Sequence, residues 1–113
     1  MIYYTTSGGE RVSEATIKKR LSKAYRQRYD GKPYPLCDET GQRAQGSSHI
    51  ISQKRCKELH KTELIWNPLN FFPATHVVNS RWESNDTTLR NYEAYMAFVE
   101  EHDPEGYKKR RNL

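Results

Sequence analysis

Cys37 and Cys56 are the only two cysteines in the chain, too few for the disulfide framework that staples small secreted domains. They read as two free thiols in a reducing compartment. No apolar stretch approaches the roughly 20 residues that a membrane-spanning helix requires. The opening residues, MIYYTTSGGERV, lack a basic segment running into an apolar one, so no leader is expected there. Internal repeats and low-complexity segments are also missing. These absences point away from secreted and membrane classes and towards a cytoplasmic protein.

Apolar residues are scarce as well: they make up 35% of the 113 residues, and the mean hydropathy is −1.04. Two Trp, eight Tyr and three Phe nevertheless supply large buried area per residue, which argues against a disordered chain and for a small aromatic core. A chain this long accommodates one modest core, so residues 1–113 are expected to form a single domain. Lys and Arg number 19 against 14 Asp and Glu, a net charge of +5. Such an excess favours a polyanionic partner, nucleic acid above all.

Residues 13–28, SEATIKKRLSKAYRQR, open with a capping serine, carry Glu14 in the first turn and repeat apolar side chains at Ile17, Leu21 and Ala24/Tyr25, which predicts an amphipathic helix. Its other face gathers Lys18, Lys19, Arg20, Lys23, Arg26 and Arg28. DGKPYP, Asp30–Pro35, ends that helix, and Gly41 and Gly46 mark hairpin or bulge positions. SHIIS then reads as a short strand. A short helix around Cys56 and Leu59 is expected within a long connection, followed by a turn at Pro68 and a strand over Leu69–Phe72. A helix should start at Thr75 and run through Asn79 to about Trp82. Asp86 is expected to cap a last helix over about 87–102, which Pro104 and Gly106 break, leaving a basic tail at 107–113. Trp66 and Trp82 are assigned to the core; His60 and His102 carry no motif and no role.

His49 lies on the SHIIS strand, and a histidine beside isoleucines carries no chemistry by itself. The stretch NFFPATHVVNSR that follows, Asn70–Arg81, changes its standing. Asn70, Pro73 and Asn79, with Arg81 shortly after, keep the intervals of the second half of the HNH motif. The chain from Cys37 to about Glu83 therefore resembles the HNH endonucleases. The resemblance implies a small α+β domain with a ββα-metal (His-Me finger) core over about 37–83, flanked by N- and C-terminal helices.

By that resemblance His49 is the general base, Asn79 a divalent-metal ligand and Asn70 the residue whose amide fixes the loop holding the histidine. Ser48 and His76 are further, weaker ligand candidates, Ser48 standing where the family often carries Asp or His. A neutral imidazole, with an ordinary pKa of about 6.5, accepts a proton near neutrality. A hard cation such as Mg²⁺ or Mn²⁺ accepts amide oxygen, phosphate and water as ligands. Many family members also hold a structural zinc on two Cys-x-x-Cys knuckles. Here CDET keeps only Cys37, and Thr75 and Val78 occupy the second knuckle, so no structural zinc is expected and packing should take its place.

The function implied is metal-dependent hydrolysis of phosphodiester bonds in double-stranded or branched DNA, by a monomer or homodimer. Lys18, Lys19, Lys23, Arg26 and Arg81 would contact phosphates without reading sequence. Two alternatives accompany it: a nucleic-acid-binding module of the same fold that no longer cleaves, and a nuclease directed at RNA.

Overall fold

The computed structural model describes every residue except Gly31, Pro33, Tyr34 and Leu113, so part of the turn expected over Asp30–Pro35 lies outside the described residues. Among the described residues the order is β1 (Tyr3–Thr5), β2 (Arg11–Ser13), α1 (Glu14–Tyr29), β3 (Gly46–His49), α2 (Gln53–Glu58), two short 3-10 helices (Thr62–Trp66 and Pro68–Asn70), β4 (Phe71–Ala74), α3 (His76–Glu83), α4 (Tyr92–His102) and α5 (Pro104–Arg111). The fold is α+β, with β1–β2 and β3–β4 forming two separate antiparallel pairs. The residues gather into two units, each made of two chain segments: Met1–Pro33 with Ile51–Asn70, and Tyr34–Ile50 with Phe71–Leu113.

In the first unit α1 forms where the periodicity places it. Ser13 Oγ accepts from the Thr16 N–H, Glu14 occupies the first turn, and Ile17, Leu21 and Ala24 are buried. Asp30 closes the helix at φ 39°, returning its N–H to the Arg26 carbonyl. The sequence reading assigns no element to the first twelve residues, yet β1 and β2 pair there with Tyr4 opposite Val12. Strands of three residues are too short for alternation to reveal. Their turn is closed by the Thr6 carbonyl, which accepts from the Gly9 N–H at 3.0 Å, and Gly9 takes a φ of +89° that a side chain would oppose. Thr62 is fully buried and donates to the Thr5 carbonyl at 2.8 Å. Cys56 and Leu64 enter the core. Trp66, expected inside, is only half-buried, with the Arg20 guanidinium 5.0 Å above its ring.

In the second unit β3 and β4 pair so that Ser48 faces Phe72 and His49 faces Phe71. β3 ends at His49, so Ile50 and Ile51 lie beyond the strand expected for them. β4 begins two residues later than the expected Leu69–Phe72. Asn67 draws Leu69 and Asn70 into a turn instead, its Oδ1 accepting from the Leu69 N–H at 2.9 Å and its carbonyl from the Asn70 N–H at 2.8 Å. Pro73 sits inside β4, where it has no N–H to leave unpaired and its carbonyl accepts from the Asp38 N–H at 3.1 Å.

The C-terminal region departs further from expectation. α4 starts at Tyr92, not near residue 87, because Asp86 turns onto its own neighbours: its Oδ1 accepts from the Thr88 N–H and hydroxyl at 2.9 and 2.6 Å. Glu39 instead holds the turn that leads into the helix, accepting from the N–H groups of Arg90 and Asn91 at 2.5 and 2.8 Å. The expected basic tail is the helix α5. Asp103 breaks α4, Pro104 occupies the first turn of the new helix, and the Asp103 carboxylate accepts from the Gly106 N–H at 3.0 Å. A Cβ at Gly106 would collide with that carboxylate, so the glycine read as a breaker is what lets the cap close. The aromatic core holds here: Phe72 stacks on Tyr95 at 4.4 Å, and Trp82 meets Tyr95 and Tyr92 edge-on.

Candidate active site

Thr75 Oγ1 accepts from the Val78 N–H and starts α3 directly after β4. With Val78 and Trp82 turned into the core, Asn79 is left on a half-buried flank of the helix. Ser48, 1% exposed, donates its hydroxyl to Asn79 Oδ1 at 2.6 Å. That bond ties the end of β3 to the middle of α3. His49, the next residue, is half-buried, its ring 5.9 Å from that of Phe71 and tilted to it.

The backbone that leaves His49 is held twice. Trp82 Nε1 donates to the Ile50 carbonyl at 3.0 Å within the second unit. Asn70, fully buried in the first, accepts from the Ile51 N–H at 2.7 Å and donates to the carbonyls of Ile51 and Leu64 at 3.0 and 2.9 Å. Its amide thus pairs with both polar groups of Ile51 as a neighbouring strand would, and its three oxygen and nitrogen partners are backbone groups. A short polar side chain buried in a 3-10 turn is stable only when satisfied in this way.

His76, Asn79 and Glu83 recur at helical spacing and share one face of α3. The His76 N–H donates to Gln45 Oε1 at 2.9 Å, and Asn79 Nδ2 donates to Glu83 Oε1 at 3.3 Å. Sequence reasoning gave Glu83 no role, although its i,i+4 spacing from Asn79 was the available signal. It also assigned Trp82 to the core alone. The partner of an indole N–H is set by tertiary structure, and nothing local announces it.

The donors at the end of β3 are a hydroxyl oxygen, an amide oxygen and, one turn along α3, a carboxylate. Hard oxygen donors of this kind fit a Mg²⁺-class ion that retains several waters. Among the described residues no three His, Cys, Asp or Glu side chains cluster as a metal cage. At the positions of the second knuckle, Thr75 is a helix cap and Val78 is buried. At the first, burial by itself would raise the Cys37 thiol, but hydrogen bonds from the Thr40 side chain and from backbone groups of Thr75, Thr40 and Glu39 outweigh it and lower the pKa. Both cysteines are buried free thiols.

Lys18, Lys19, Lys23 and Arg26 are exposed and make no ion pair among the described residues. At 3.6 residues per turn they span an arc of about 140° of α1, opposite the buried Ile17, Leu21 and Ala24, and no carboxylate falls within it. Arg20 is instead held by Glu10 at 2.8 Å. These residues belong to the first unit; Ser48, His49, His76, Asn79 and Arg81 belong to the second. Arg81 pairs with Asp86 at 2.8 Å and reaches Thr88 at 3.1 Å, which makes it a fixed cation. No helix among the described residues is long and apolar enough to cross a membrane. Compared with protein families, curated proteins and solved structures, the chain finds no match.

Proposed function

We propose that this protein is a divalent-metal-dependent endonuclease of the HNH type, hydrolysing DNA in the cytoplasm. The observation that carries the reading is the Ser48–Asn79 hydrogen bond. It joins the residue before His49 to the α3 asparagine, across the strand, strand and helix order that the sequence resemblance implies. Two buried free thiols suit the reducing compartment.

A Mg²⁺-class ion supplies, when bound, charge neutralisation on the scissile phosphate and its leaving oxygen. Ser48 Oγ and Asn79 Oδ1 would hold it, with His76 on the same helix face as a further donor. His49 is the last residue of β3, next to Ser48, and in this reading it serves the attacking water while the cation serves the leaving oxygen, which lies on the opposite side of phosphorus. His49, as neutral imidazole, takes a proton from water while the water oxygen bonds to phosphorus. The ester P–O bond breaks, and the leaving oxygen takes a proton from solvent. Asn70 and Trp82 hold the backbone behind the imidazole. The unpaired cations of α1 and the fixed Arg81 supply phosphate contacts without sequence information.

The test is nicking of supercoiled plasmid, branched DNA and RNA with Mg²⁺ or Mn²⁺, comparing the parent with His49→Ala. Removing a general base should slow cleavage about 10²–10⁴-fold. Equal cleavage by both proteins refutes the assignment of His49. A parent that binds these polymers but cleaves none is the binding module, and one that cleaves RNA alone is the RNA nuclease.

A further inference from the structure

The Ser48 hydroxyl is both donor and acceptor, so it pairs equally well with either end of the Asn79 amide. By itself it does not decide whether Asn79 presents its oxygen or its NH₂ to the end of β3. Glu83 does decide, because an ionised carboxylate only accepts. With Asn79 Nδ2 drawn to Glu83 Oε1 at 3.3 Å, Oδ1 must turn to Ser48. The hydroxyl proton is then committed to the 2.6 Å bond with Asn79. We infer that Glu83 is the positioning residue of the cation site: through the relay from Ser48 to Asn79 to Glu83 it turns the lone pairs of two neutral oxygens, and none of their protons, towards the bound ion.

The inference rests on the metal-dependent reading above and deepens it. A serine in the slot where a carboxylate is common offers no charge, so its value as a ligand depends on where its hydrogen points. Glu83 fixes that hydrogen from two residues away. It is exposed on the last turn of α3, and its isosteric amide variant removes no packing.

The experiment measures Mn²⁺ binding to the full chain by calorimetry, without nucleic acid, for the parent, Glu83→Gln, Asn79→Asp and the double variant. The side-chain amide resonances of Asn79 are followed by NMR in the parent and in Glu83→Gln. A glutamine can turn either end towards Asn79, so Glu83→Gln should weaken Mn²⁺ binding about tenfold, the worth of one charge-assisted hydrogen bond. The Asn79 Hδ2 resonance that bonds to the Glu83 carboxylate in the parent should shift upfield as that bond is lost. An aspartate at 79 has no amide to orient, so adding Glu83→Gln to Asn79→Asp should leave binding unchanged or tighter. Equal weakening in both backgrounds would mean that Glu83 acts by charge alone and would overturn the inference. So would a Glu83→Gln variant that binds like the parent. A parent that binds no Mn²⁺ at millimolar concentration removes the metal-dependent reading itself, and the inference with it.

Discussion

Replacing Asn70 with alanine removes a side chain that is fully buried and orphans the Ile51 N–H, while the Ile51 carbonyl keeps only the Cys56 thiol at 3.5 Å and the Leu64 carbonyl only the Asn67 N–H at 3.2 Å. A buried polar group deprived of its partner costs about 1–3 kcal/mol. One orphaned N–H at that cost and two carbonyls that each lose a hydrogen bond of about 0.5–1.5 kcal/mol give about 2–6 kcal/mol, and a water entering the vacated space trims this towards the lower end. Domains of this size have about 5–15 kcal/mol in total, so Asn70→Ala should retain a folded population with a much lower urea midpoint. Amide exchange at Ile51 should lose its protection.

Asn70→Asp sharpens the test. Its carboxylate keeps the bond from the Ile51 N–H but faces two carbonyls it cannot donate to, and burial disfavours its charge. Both effects raise its folded pKa above the unfolded value of about 3.9, so the native state binds the extra proton and stability rises as the pH falls from about 7 to 5. Asn70→Ala should show no such recovery. A loss below about 1 kcal/mol in Asn70→Ala would refute the accounting, because one unsatisfied group already costs that much.

Other perturbations separate the remaining contacts. Trp82→Phe keeps the ring in the core but abandons the Ile50 carbonyl; it should cost about 1–2 kcal/mol in urea unfolding and lower plasmid cleavage in a protein that is still folded. Asp86 is held at about 2 by hydrogen bonds from the Thr88 hydroxyl and then from Arg81. With the folded value below the unfolded one, its contribution is complete above about pH 4 and is lost as the pH falls through about 2, so Asp86→Asn should differ from the parent in urea midpoint at pH 5 and converge with it at pH 2. Alanine at Lys18, Lys19, Lys23 or Arg26 should each reduce the slope of log binding constant against log salt by up to about 0.9 on duplex DNA. An unchanged slope would remove that residue from the interface.

How much of this was legible in the sequence differs by element. α1 and α3 were readable because each begins with a capping hydroxyl, Ser13 or Thr75, followed by side chains buried at helical spacing. The N-terminal hairpin was not, since three residues per strand leave no period to detect. The start of α4 was misplaced because Asp86 is a sound local cap, and only the tertiary approach of Glu39 to Arg90 and Asn91 overrides it. α5 was missed for a related reason: proline and glycine read as breakers, yet a proline in the first turn and a glycine under the Asp103 carboxylate are what that helix requires. At the candidate site, the spacing of Asn70, Pro73 and Asn79 singled out a segment in which Asn79 meets Ser48. The partners of Trp82 and Glu83 are decided by geometry that spacing only hints at.

The same contrast explains how the segment before β3 is held. In the resembling family a metal on two knuckles ties such a segment to the strand and helix that follow. Here the Asp38 and Gln45 N–H groups donate to the carbonyls of Pro73 and Ala74 at 3.1 and 3.0 Å. Glu39 adds its bonds from the Arg90 and Asn91 N–H groups and one from the Tyr95 hydroxyl at 3.1 Å. Burial, and then the charge of Glu39, keep that hydroxyl protonated well above its ordinary range, so it remains a donor. Each of these links is modest, about 0.5–1.5 kcal/mol for a neutral hydrogen bond. They converge on the residues that lead directly into β3 and Ser48. A distributed set of hydrogen bonds thus fixes the register of β3 on β4, and with it the side to which Ser48 points. A slip of one residue would turn Ser48 away from Asn79 and exchange its place with His49.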